Sequence, residues 1–313
     1  MKVAFIVGTF PKVSETFIID QACDLIDRGV DVFIYSFGLG DKDKGNISKR
    51  YFEYNLDKKT AYLNTADNKF AKILLIFPRF IKLLFFKPSL VFNVFRHPSC
   101  FKVLSWNVRL FLDNKYDLYH CHFGAVGAQF ATIRKALHIK EKFITSLYGQ
   151  DVSMAIKKRG IGMYKELMQE SSKFFVMSEN MKQRVVTHGF PSDKVLVHPV
   201  GINIAKYSYT ERRVSPDGQV NIISVGRFVE KKGFDDLLRA IAIVKEKSSR
   251  KFRCYVVGNG PLKDKMYSLV KSLKIDDVVE FKGFMSIDKI LNLFKEMHFF
   301  VQPSKTAQDG DME

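Results

Sequence analysis

Two glycine-rich stretches carry the residue types best suited to holding a phosphate. In the first, the apolar run Val220-Asn221-Ile222-Ile223-Ser224-Val225 leads into Gly226-Arg227-Phe228-Val229-Glu230-Lys231-Lys232-Gly233. Gly226 lets the backbone turn sharply. Arg227 offers a planar fork to phosphate oxygens, and Lys232 adds a point charge. A helical pattern follows, with Leu237, Leu238, Ile241 and Val244 on one face, and its N-terminus adds partial positive charge. The second stretch, Val256-Val257-Gly258-Asn259-Gly260-Pro261, repeats the layout. In an open parallel sheet two such turns face one crevice at the strands' carboxyl ends. The same spacing also fits ordinary βα turns with solvated cations.

The elements that must position these turns alternate along the chain. In the C-terminal part, strands are expected at 220–225, 252–257, 278–281 and 298–301, with helices near 235–247, 262–273 and 287–296. The N-terminal part reads the same way. A strand from Lys2 to Gly8 runs into Gly8-Thr9-Phe10-Pro11, and Ser14 can cap a helix over about 15–28. A second strand follows at 30–37, which makes a βαβ unit and implies a parallel sheet. Further strands are expected at 116–121, 143–147, 173–177 and 195–197, with helices over 126–137 and 179–188. Two polar loops therefore fall at strand carboxyl ends: His122-Phe123-Gly124 and Tyr148-Gly149-Gln150-Asp151. Alternation sends His120 and His122 to one side and Cys121 to the other. No further His or Cys cluster completes a metal shell around them, so no metal is expected.

Taken together these words resemble a known family. Gly226-Arg227, Lys231-Lys232-Gly233, Gly258-Asn259-Gly260-Pro261, Phe281-Lys282-Gly283-Phe284 and Gln302-Pro303-Ser304 occur in the order of the C-terminal domain of family-four retaining glycosyltransferases. Phe10-Pro11-Lys12-Val13-Ser14-Glu15-Thr16-Phe17-Ile18 resembles the opening of bacterial exopolysaccharide glycosyltransferases, including the colanic acid group. His198-Pro199-Val200-Gly201-Ile202-Asn203 matches the family's turn out of its first domain.

The resemblance implies an α/β, GT-B architecture: two Rossmann-like domains with parallel sheets facing a cleft. The boundary is placed near Ala205, giving an acceptor-side domain over 1–205 and a nucleotide-sugar domain over 206–313. It implies sugar transfer from a UDP- or GDP-linked donor to a lipid-linked or polysaccharide acceptor with retention, in exopolysaccharide, capsule or lipopolysaccharide synthesis. Arg227 and Lys232 would neutralise the leaving diphosphate. Gly8, Gly258, Gly283, Phe284 and Ser304 would line the donor, with Gly283 and Phe284 near the base. His122 and Asp151 would line the acceptor side. The second loop resembles the family's His-Gly-x-Asp turn, but Tyr148 stands where the family has His. No cofactor is implied, since cations and helix ends carry the diphosphate in such enzymes. A nucleotide-sugar-binding or membrane-binding protein without turnover would use the same cations.

The family motif is Glu, seven residues, then Glu. Asp309-Gly310-Asp311-Met312-Glu313 reads as its approach, with Glu313 where the first glutamate belongs. The expectation is an incomplete second domain that binds donor weakly. Asp309-Gly310-Asp311 also has the form of a metal-binding DxD, but its place after a late strand of a second Rossmann-like domain argues against that role.

Composition agrees with a folded enzyme. The 313 residues are 46% hydrophobic with a formal net charge of +17, enough for two cores and suited to an anionic partner. The cysteines, Cys23, Cys100, Cys121 and Cys254, form no CxxC pair. Scattered thiols, no secretory signal and no long uncharged apolar run point to a cytoplasmic protein on the inner face of the plasma membrane. No nucleic-acid-binding signature is present.

The membrane expectation rests on Lys69 to Arg109. That stretch has no acidic residue and interleaves Lys69, Lys72, Arg79, Lys82, Lys87, Arg96, Lys102 and Arg109 with phenylalanines and Trp106. Such interleaving suits the plane of a membrane interface; core-packing helices with solvated lysines fit it too. Each cation adds up to about 1 kcal/mol at an anionic surface, less when screened. In liposome flotation the chain should therefore bind anionic vesicles and release with salt. Equal binding to neutral and anionic vesicles, or none to either, would contradict the electrostatic reading.

Overall fold

The computed structural model describes residues 1–41, 47–63, 81, 85, 115–202, 204, 207, 209, 211–214 and 218–312. The basic, aromatic stretch lies outside these residues except for Ile81 and Phe85, and so do Glu313 and Ala205. The chain divides into two compact units, Met1–Ile202 and Asn203–Glu313.

The first unit is a seven-stranded sheet in the order β3-β2-β1-β4-β5-β6-β7. Its strands are β1 (Lys2–Phe10), β2 (Asp31–Leu39), β3 (Thr60–Tyr62), β4 (Leu118–His122), β5 (Phe143–Ser146), β6 (Lys173–Val176) and β7 (Val195–Val197). Every pair is parallel. Its alternating side chains feed two cores. Phe5 and Val7 of β1 pack with Ile18, Ile19 and Ala22 of helix α1 (Thr16–Asp27). Ala4 and Ile6 pack on the other face, whose core includes Phe130 and Ala131 of a later helix (Gly124–Leu137). Such burial contributes about 1.5–3 kcal/mol per large apolar side chain.

One local expectation is corrected. Ser14 does not cap α1; it lies inside a 3₁₀ turn, Val13–Glu15, and Glu15 takes the cap position. The polar stretch after Gly38 holds a short helix, α2 (Lys49–Glu53), and the edge strand β3. Arg50 of α2 pairs with Asp20 and Asp24 of α1 at 2.8 and 2.7 Å, which pins α2 to α1.

The second unit is a four-stranded parallel sheet in the order β10-β9-β8-β11, from β8 (Val220–Val225), β9 (Phe252–Val257), β10 (Val279–Gly283) and β11 (Phe299–Phe300). Three helices follow the first three strands: Phe234–Lys247, Lys263–Ser272 and Ile287–Phe294. In both sheets the strand order reverses once, beside β1 in the first and beside β8 in the second. Ligands of open α/β sheets bind outside the carboxyl ends at such switch points.

No helix among the described residues is long and apolar enough to cross a membrane. The described cysteines, Cys23, Cys121 and Cys254, are free and buried.

The glycine turns of the second unit pack directly on one another. A Cβ on Gly258 would lie 1.9 Å from the Gly226 carbonyl oxygen, and one on Gly233 would lie 1.8 Å from the Pro303 carbonyl oxygen. Backbone cannot yield as a flexible side chain does, so overpacking here costs about 1–3 kcal/mol or more. Gly258→Ala should lower the denaturation midpoint of the second unit accordingly. Gly162→Ala, at a site with nothing within 4 Å, should stay within about 0.5 kcal/mol of wild type. Equal effects of the two substitutions in a urea titration would contradict the packing account.

Candidate functional site

In the second unit the residues meet at the β8 switch point. Beyond β8 the chain turns at Gly226, whose N–H donates to Val257 O at 3.0 Å, so the first turn is tied to the end of β9. Phe228 N–H donates to Asn259 O at 2.9 Å, and Leu262 N–H donates to Phe228 O at 3.1 Å. Gly258 N–H donates to Gly283 O at 2.8 Å. Three successive strand ends are thus laced by backbone hydrogen bonds. Gly258 is required by the approach of the Gly226 carbonyl. Gly260 is required by the backbone of Phe228, which lies 2.7 Å from where a Cβ would stand. Gly283 has a φ of 68° and open space around it.

Arg227 and Lys232 flank this turn. The Lys232 stem passes 3.5 Å from where a Gly226 Cβ would lie, so it packs over the turn at Gly226. Arg227 is exposed, and its side chain has no hydrogen-bond or ion-pair partner among the described residues. The segment leaving β11 braces the loop. Gln302 Nε2 donates to Lys232 O at 3.0 Å, and Lys305 N–H donates to Lys231 O at 2.9 Å. Lys305 Nζ pairs with Asp235 at 2.7 Å and Asp236 at 2.9 Å, and Lys231 Nζ with Asp311 at 3.2 Å. Asp311 is therefore engaged with a lysine. Ser304 is exposed beside this brace, and Phe284 is exposed past Gly283.

The first unit shows the opposite condition, with polar side chains sealed from water. His122 is the last residue of β4 rather than part of the following loop, and it is fully buried. Gly8 lies in β1, where a Cβ would meet Val126 at 3.6 Å. The β4–β5 register sets His122 opposite Ser146. His120 Nε2 lies 2.8 Å from Ser146 Oγ, and His122 Nδ1 lies 3.0 Å from Tyr148 Oη. The two imidazoles stack at 4.3 Å with Phe5 at the edge of both. His122 Nε2 is buried without a partner among the described residues.

Asp151 lies in a short helix, Gly149–Val152, and is 4% exposed. Its carboxylate accepts from Tyr148 N–H at 2.9 Å and from the Gly124 and Ala125 N–H groups that start the helix after β4. It ties two helix starts together and does so as a partner of backbone. Burial pushes its pKa up to about 6 against those hydrogen bonds. Burial holds His120 down to about 3, helped by His198, and holds His122 well below the imidazole range. Tyr148 is pushed above the usual phenol value, mainly by burial.

Beside these groups is a cavity of about 300 Å³ lined by Phe17 and Asp20 of α1 and Arg28 just past its end, with Ser146, Tyr148 and His198 among others. Ser146 and His120 were not singled out as functional, although polar residues two apart on a strand signal one shared face.

These features define an α/β protein of the GT-B class, and comparison with known proteins gives its family. Residues 14–206 match the description Glycosyltransferase Family 4, and residues 208–310 match Glycosyl transferases group 1. The chain belongs to glycosyltransferase family 4, and it is a transferase. It is 28% identical to the glycosyltransferase WcaL of Escherichia coli strain K12, provisionally named for colanic acid biosynthesis, over 100% of this chain and 78% of that one. It is 29% identical to the amylovoran biosynthesis glycosyltransferase AmsK of Erwinia amylovora, with the same coverage. Among solved structures, Anabaena HepE in complex with UDP and glucose aligns with a TM-score of 0.64 at 16% identity, over 99% of this chain and 76% of that one. That last likeness is one of fold.

The buried titratable groups oppose each other in pH dependence. Asp151 has a raised folded pKa, so its contribution is present below about pH 4 and is lost as pH rises through about 6. The histidines have depressed folded values, so their contribution is present above about 6.5 and is lost as pH falls. At pH 5 His120 costs roughly 2 kcal/mol and His122 adds a cost of the same sign, while Asp151 regains only about 1. The histidines win, and the first unit should lose stability between pH 7 and 5. His120→Gln should flatten that slope clearly in chemical denaturation at both pH values; an unchanged slope would contradict the assignment.

Proposed function

We propose that this enzyme transfers a sugar from a UDP- or GDP-linked donor to a lipid-linked or polysaccharide acceptor, with retention of configuration, in exopolysaccharide synthesis. The observation that carries this reading is the exposed Arg227 that follows Gly226 at the β8 switch point, on a turn that the Lys232 stem approaches and backbone contacts hold in place. The relatives' names, for colanic acid and amylovoran, support the polysaccharide, and the UDP in the HepE structure supports the donor class.

In this reading the bond from the anomeric carbon to the diphosphate breaks, and negative charge grows on the leaving oxygens. Arg227, Lys232 and the helix start behind Gly233 meet that charge without a cofactor or a divalent ion. Ser304 lies near the same phosphates. Gly283, with room around it, and exposed Phe284 accept the base. Gly258 serves through the packing that fixes the turn. Gly8 lines the donor, His122 lies on the acceptor side of the first unit, and Asp151 positions the loop that carries Tyr148. Glu313 would hold the donor sugar, as the family motif implies. The basic stretch from Lys69 would hold the enzyme on anionic lipid at the inner face of the membrane.

The test is nucleotide release from UDP- and GDP-sugars on adding acceptor lipid extract, with the product's anomeric configuration read by NMR. Arg227→Ala should lower turnover about a hundredfold with an unchanged melt, the loss expected for one transition-state contact. Near-full turnover of that variant at saturating donor would remove Arg227 from the diphosphate site.

A further inference from the structure

Two buried hydrogen-bonded pairs lie together in the first unit, His120 with Ser146 and His122 with Tyr148. His120 Nε2 is 2.8 Å from Ser146 Oγ, and Tyr148 Oη is 3.0 Å from His122 Nδ1. The Tyr148 hydroxyl has one proton to give, so its contact with His122 Nδ1 can run in either of two senses. The two senses leave His122 in different states. In one, Tyr148 donates to Nδ1 and the imidazole proton sits on Nε2. In the other, Nδ1 donates to Tyr148 and Nε2 is a bare lone pair.

Acid–base matching selects between them. A phenol is a far better proton donor than a serine hydroxyl, and a neutral imidazole nitrogen is a better acceptor than either hydroxyl oxygen. The strongest hydrogen bond available pairs the Tyr148 proton with His122 Nδ1. We propose that Tyr148 is a positioning residue that holds His122 in its neutral Nε2–H form by donating its phenol proton to Nδ1. The family has His at the Tyr148 position, so this device belongs to this chain's own residues.

Three further observations support it. His122 is fully buried and held neutral by its surroundings, so both ring nitrogens are not protonated together. Phe17 and Phe123 pack on the Tyr148 ring at 4.9 and 4.6 Å, which fixes where its hydroxyl points. The Tyr148 N–H is held by Asp151, which fixes the backbone. The result is one buried N–H, at His122 Nε2, with no protein acceptor among the described residues. An unspent buried donor is costly, roughly 1–3 kcal/mol, and is the group that a sugar oxygen would relieve. Only that last use rests on the proposed function.

The test reads the ligand-free full chain, so it stands or fails apart from that function. Two-bond ¹H–¹⁵N spectra of the [¹⁵N]histidine-labelled protein at pH 7 distinguish the tautomers, and His122→Gln identifies the signal. The expected result is His122 protonated on Nε2 alone. In Tyr148→Phe the lock is lost, and the Nδ1–H form should rise to tens of per cent. Ser146→Ala should leave His122 in the Nε2–H form, since Tyr148 keeps its proton to give. A proton on Nδ1 in the wild type, or an unchanged tautomer in a folded Tyr148→Phe, would overturn the proposal. If Tyr148→Phe does not fold, the wild-type spectrum decides alone.

Discussion

The carbonyl oxygen of Gly226 occupies the space that a side chain at Gly258 would need, 1.9 Å from the position of its Cβ. That approach brings the ends of β8 and β9 together, and the β10 end follows through the Gly258–Gly283 hydrogen bond. A phosphate-holding turn has to keep its backbone in place without help from side chains that would crowd the ligand. Here glycines permit the approach, and backbone hydrogen bonds fix it. The segment after β11 then closes the far side through Gln302 and Lys305. Lysines 231 and 305 are occupied by carboxylates in that brace, which leaves Arg227 exposed beside the turn. The division of labour among cations follows from geometry: some hold the loop, and one faces water.

The first unit solves a different problem. Its switch point carries imidazoles, hydroxyls and a carboxylate that are nearly all removed from water. Desolvation is then the largest influence on every one of them, and it drives each toward its neutral form. Neutral groups in a dry site are held by hydrogen-bond direction rather than by charge. That makes the identity of the Tyr148 side chain matter more than its polarity alone would suggest.

Much of this was legible in the sequence. Apolar runs followed by glycine turns gave the strands and their carboxyl ends, because buried parallel strands must be apolar on both faces. Alternation placed His120 and His122 on one face. Other parts left no local signature. The strand Thr60–Tyr62 is three half-buried residues, too short and too evenly buried for an alternating pattern to mark it. The helix start at α1 misled, since Ser14 has the right type but sits one residue before the cap position, inside a 3₁₀ turn. Asp151 reads as a site residue by its place in a loop, yet its partners are N–H groups from Gly124 and Ala125, more than twenty residues earlier in the chain. Lys231 and Asp311, 80 positions apart, carry no sequence sign of pairing.

The central claim is that the turn after β8 is where a nucleoside diphosphate is held. Amide hydrogen exchange of the full chain, with and without millimolar UDP or GDP, tests it most directly. The account predicts slowed exchange across Gly226 to Gly233 with either nucleotide, and loss of that protection in Arg227→Ala. Protection confined to the first unit, or none at the turn, would contradict it.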